Sequence, residues 1–92
     1  MIVGSLRVRL LLRESRSLKD KRQVVRSIKD RLANRFNVAV AEVDSLEDRQ
    51  IAVLGFATVG NEVKHVRSVL EEVLRAVRCH PIAELIDHEM EV

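Results

Sequence analysis

Apolar and polar residues alternate near the start of the chain. In IVGSLRVRLLL, residues 2–12, Leu6, Val8, Leu10 and Leu12 take every second place, with Arg7, Arg9 and Leu11 between them. A period of two is that of a strand with one buried face. Past Ser17 the period lengthens: Leu18, Val25, Ile28, Leu32 and Phe36 recur at helical spacing, and Ser17 with Asp20 three residues on has the form of an N-terminal cap. This predicts a helix from about Ser17 to Arg35, ended by Asn37, a residue that tolerates left-handed backbone. NVAVAEVD, residues 37–44, is short and β-branched, as strands are, and the polar SLEDRQ after it is a turn. IAVLGFATV, residues 51–59, reads as a third strand apolar on both faces, closed by the Gly60-Asn61 turn. Val63, Val66, Leu70, Val73 and Val77 predict a second helix, stopped at His80-Pro81, and IAELIDHEMEV supplies the last strand.

The resulting order, β-α-β-β-α-β, closes with right-handed crossovers as a ferredoxin-like α+β sandwich, a four-stranded antiparallel sheet with two helices on one face. Ninety-two residues hold a single core, so one domain spans 1–92. The other face of the sheet is left open. Strand three cannot hide both its Leu54/Phe56 side and its Val53/Ala57 side under the helices. One side lies on the open face beside Arg7, Arg9 and Leu11, and Leu11, Leu54 and Phe56 are the candidate residues of a homodimer interface. The alternative is a half-exposed strand, with small residues such as Ala52 and Ala57, that needs no partner.

Composition adds that the chain is an ordered globular protein: 47% of residues are apolar and 33% charged. No apolar run approaches the roughly 20 residues that cross a bilayer, MIVGSLRVRL has polar breaks where a signal peptide would be continuous, and the single Cys79 suits a reducing compartment. A cytoplasmic location without a membrane partner is expected.

Net charge is only +2, but it is unevenly placed. Arg16 to Phe36 holds eight Lys or Arg and two acids, while the other 71 residues carry eight basic and twelve acidic ones; Ile82 to Val92 has four acids and no Lys or Arg. At about 100° per residue, Lys19, Arg22, Arg26 and Lys29 fall within one arc of roughly 80°, beside the apolar stripe. Neighbouring like charges repel by about a few tenths of a kcal/mol per pair, so a helix shaped by stability alone would interleave Glu, and none is present. That favours a ridge gripping phosphates of structured RNA, with Arg7 and Arg9 as auxiliary contacts. Against it, Arg and Lys are good helix formers whose stems cover the edge of a core while their heads face water or an acidic protein. Base stacking on the sheet has little to work with, since Phe36 and Phe56 are the only aromatics. Lys21 falls inside the apolar sector; its stem is expected to snorkel outward, with Glu42 or Asp44 as a possible ion-pair partner.

Most chemistry associated with this topology lacks its residues here. Metal chaperones need Cys-x-x-Cys, and acylphosphatases need a glycine-rich phosphate cradle where this chain has RESRS. His65, His80 and His88 lack zinc-ligand spacing. Cys79 and His80, adjacent near a helix end, point about 100° apart and do not form a nucleophile–base pair. Glu42 and Asp44 share a strand face and could hold Mg²⁺, though a solvated strand end explains them equally. No glycine-rich nucleotide motif occurs. The expectation is a non-enzymatic protein with no catalytic residues, metal, cofactor or small-molecule substrate.

The run SRSLKDKRQVVRSIKDRLANRFNVAVAEVD, Ser15 to Asp44, resembles the signature of the YlxP-like family of small bacterial proteins. Val3-Gly4, the segment from Ala52 to Glu62 and HPIAELIDHE extend the likeness over essentially the whole chain. The resemblance implies a ferredoxin-like fold, no established enzyme activity, and genes beside those for transcription termination, translation initiation and ribosome maturation, which favours RNA or the ribosome as partner. The family motif falls on Ser17, Leu18, Lys19, Lys21 and Arg22 but brings no agreed binding residues.

Overall fold

The computed structural model describes residues 1–92. Six elements follow the expected order: β1 (Ile2–Leu11), α1 (Leu18–Arg35), β2 (Ala39–Asp44), β3 (Ile51–Gly60), α2 (Val63–Arg78) and β4 (Glu84–Glu91). The strands form one antiparallel sheet in the order β2-β3-β1-β4, and the chain adopts the ferredoxin-like sandwich.

The alternation in β1 becomes geometry. Leu6, Val8, Leu10 and Leu12 lie beneath the helices at 2% exposure or less, while Arg7 and Arg9 emerge on the open face. Val25, Ile28 and Leu32 of α1 and Val66, Leu70, Val73 and Val77 of α2 meet them in one continuous core. Where β1 passes under α2 there is no room for a side chain. A Cβ on Gly4 would stand 2.5 Å from Val66 Cγ1 and 2.9 Å from Leu70 Cδ1, and that close approach accounts for glycine in a strand interior.

β3 resolves its two apolar faces in one direction. Leu54 and Phe56, 0% and 2% exposed, belong to the helix-covered core, so they cannot meet a partner and the expected dimer contact through them is corrected. The period of two then sends Val53, Ala57 and Val59 to the open face. Leu11 is on that face but half-buried, paired across the sheet with Ile51 and Glu84.

Two bulges also depart from expectation. One in β2, at Val43, sets Glu42 opposite Leu54 and Asp44 opposite Val53. The extra residue turns the two acids to opposite faces, so they do not share one and make no Mg²⁺ pair. The other, in β4, frees Ile86 between Leu85 and Asp87. Helix α1 ends without a left-handed residue: Phe36 is extended, its N–H returning to the Leu32 carbonyl, and β2 begins only at Ala39. Ser45 is the one non-glycine residue at positive φ, 55°, in the β2–β3 turn. There the Asp48 carboxylate accepts from Gln50 N and Ile51 N at 2.8 Å each, which holds its pKa below the usual carboxylate value.

Candidate nucleic-acid interface

Helix α1 begins as its capping residues require. Ser17 Oγ accepts from Asp20 N at 3.1 Å, and the Asp20 carboxylate accepts from Arg16 N at 3.0 Å. Asp20 is thereby engaged at the helix start, and Asp30, four residues after Arg26, is exposed with no cation within 4 Å. Lys19, Arg22, Arg26 and Lys29 follow along one flank over about 15 Å of helix. The first three are exposed and Lys29 is half-buried. The chain's ion pairs are Arg7–Asp44, Arg13–Glu84 and Lys21–Glu42, so none of the four ridge cations has a carboxylate within 4 Å.

Lys21, one position from this arc, has a different fate. Its side chain is wholly buried, so it does not snorkel. Nζ donates to the carbonyls of Ser45 (2.8 Å), Leu46 (3.2 Å) and Ile51 (3.2 Å). Glu42 Oε2 approaches Nζ to 2.9 Å but off a hydrogen-bonding direction, the three protons being taken by the carbonyls. Of the two expected partners Glu42 is the one used. This cation ties α1 to the β2–β3 turn and is out of reach of any ligand.

Arg7 and Arg9 stand apart from the ridge. They project from the face opposite the helices, among acids: Arg7 Nη2 is 2.9 Å from Asp44 Oδ2 and pairs across the sheet with Glu89, while Arg9 pairs with Asp87. An interface built on α1 therefore does not include them. The two layers carry opposite charge. Helices α1 and α2 hold eleven Lys or Arg against four Asp or Glu, and the remaining residues hold five against ten.

The family described as "Protein of unknown function (DUF503)" matches residues 3–90. The chain belongs to that family. Among relatives, the "Uncharacterized protein YlxP" of Bacillus subtilis (strain 168) is 28% identical over 83 residues, 90% of each chain. The DUF503 match spans β1 through β4, so it takes in the ridge, the buried Lys21 and the acidic β4 together.

Sequence reasoning missed one feature of this DUF503 chain. Arg31 and Arg35 lie on the other flank of α1, and with Arg75 of α2 they rim a cleft of about 650 Å³ between the C-terminal halves of the two helices. Its floor includes Leu32, Phe36 and Ala76. The signal was a second pair of cations in α1 four residues apart, but only the packing of α1 beside α2 gives that pair a third member and a floor.

Proposed function

We propose that this protein is a non-catalytic, cytosolic RNA-docking module that lays the helix layer, and above all Lys19, Arg22, Arg26 and Lys29, against the phosphates of structured RNA, ribosomal RNA included. One observation carries the reading: four neighbouring cations along one flank of α1 have no carboxylate of their own chain within 4 Å. Uncompensated cations on a rigid helix are what a phosphate backbone binds by displacing counterions, and the interaction weakens steeply with salt. Their separation from the acidic sheet layer orients the approach. The test is a salt titration of binding to a structured RNA. Contact with four to six phosphates gives log K against log salt a slope of about −3.5 to −5.5. Arg22→Glu with Arg26→Glu abolishes binding while the helical signal is kept; binding that survives the double reversal removes the proposal.

A second reading, a homodimeric or protein-interaction module, rests on the open sheet face. Val3, Val43 and Val59 are there 55%, 51% and 55% exposed, beside Ala39, Ala41 and Ala57. An apolar patch of this kind is suited to self-association.

A further inference from the structure

The helices do not pack along their whole length, and the gap they leave has a chemistry the ridge lacks. At its rim stand three arginines and no lysine; none of Arg31, Arg35 and Arg75 has a carboxylate within 4 Å, although Glu72 lines the same cleft. Leu32, Phe36 and Ala76 are among its hydrophobic lining residues, His80 joins Glu72 among the polar ones, and the Arg35 guanidinium lies over the Phe36 ring, 5.0 Å from its centre. A cleft of about 650 Å³ is of ligand size. The floor is superfluous for a bare phosphate, and an aliphatic acid makes no use of a stacked guanidinium–aromatic pair. A planar ring attached to a phosphate uses both, because guanidinium groups chelate phosphate oxygens and their planes stack on rings. Unpaired bases are held by proteins in this manner, on aromatic and arginine planes.

We propose that the cleft is a nucleotide subsite, taking one unpaired base of an RNA whose helical stem lies on the ridge of α1. This deepens the RNA reading and rests on it. The ridge and the cleft lie on opposite flanks of one helix, about 10–12 Å across with its side chains, so a short single strand leaving the stem crosses α1 to enter the cleft. The ridge then supplies affinity for any duplex, and the cleft supplies a preference for a junction between paired and unpaired RNA.

The experiment compares three RNAs bound to the full chain: a blunt duplex, the same duplex with a short single-stranded overhang, and one whose overhang is abasic, with equal phosphates and no bases. The base-bearing overhang is expected to bind about tenfold tighter than the abasic one, as one stacked base provides. Ala76→Trp, which fills the cleft without changing charge, erases that difference and leaves blunt-duplex binding as it was, which also reports an intact fold. Ala76→Leu, a smaller intrusion, reduces the difference. Equal binding of the two overhangs by the unaltered chain, with the duplex still bound, overturns the subsite and spares the RNA reading. A preference that persists in Ala76→Trp overturns the subsite as well. Failure of all three RNAs to bind removes both. A free ribonucleoside monophosphate that shifts the amide resonances of Leu32, Phe36 and Ala76, without any preference for the base-bearing overhang, assigns the cleft to soluble nucleotides and overturns the RNA source. A polyglutamate peptide that shifts the same resonances, again without that preference, gives it to an acidic protein and overturns the nucleotide.

Discussion

Replacing Lys21 by methionine keeps the apolar stem and deletes the ammonium. Three carbonyls then lose the Nζ donor, Ser45 O keeping only Asp48 N at 3.0 Å, and the Glu42 carboxylate, only 15% exposed, is left beside the core without its cation. Removing one partner of a buried pair costs about 3–5 kcal/mol. Urea unfolding should show Lys21→Met losing an amount of that order, and the double change with Glu42→Gln recovering part of it. His80 offers a test by titration. Burial, and then the neighbouring Arg31 guanidinium, hold its imidazole below the ordinary 6.5, and its Nδ1 accepts from Ile82 N at 3.3 Å. Its proton resonances should titrate with a midpoint below 6.5, and Arg31→Ala should raise that midpoint only in part, since burial is the larger cause. The sign follows: the unfolded chain takes the proton more readily, so stability is full above pH 6.5 and falls as pH drops through the folded midpoint.

Among the elements, α1 shows how far patterning reaches. Its start was legible because Ser17 and Asp20 satisfy orphan backbone groups in a way their spacing announces. Ser17→Ala should cost about 1 kcal/mol, measured as a lowered urea midpoint at unchanged slope. The ridge was legible for a related reason, because positions on one helix obey a single period. β3 shows the opposite case. With apolar residues on both faces it has no alternation to read, and only the pairing of Val8 with Leu54 and of Leu6 with Phe56 decides which side meets the helices. The bulge at Val43 was equally hidden, since one extra residue flips Asp44 relative to Glu42 without altering composition. The cleft depends on how α1 and α2 pack side by side, a long-range property that neither helix encodes alone.

The whole molecule is two layers of opposite sign, and its predictions concern association. If the sheet face joins two copies, Val3, Val43 and Val59 are the residues to change, and Leu54 and Phe56 are not. Light scattering at micromolar concentration should report a dimer that Val59→Glu converts to a monomer with the fold kept. A monomer in the unaltered protein would leave the RNA reading standing alone. No helix is long and apolar enough to cross a membrane. The separation of charge has one more result for a protein bound to RNA. If the ridge is turned to RNA, the face left to the surroundings carries Asp87, Glu89 and Glu91, with Asp44 paired to Arg7 and with Arg9 beside them, a net negative surface that disfavours a second strand. A monomer bound in that way would cover its site from one side, with no second cationic layer to bridge two nucleic acids, whereas a dimer joined through the sheet would carry two.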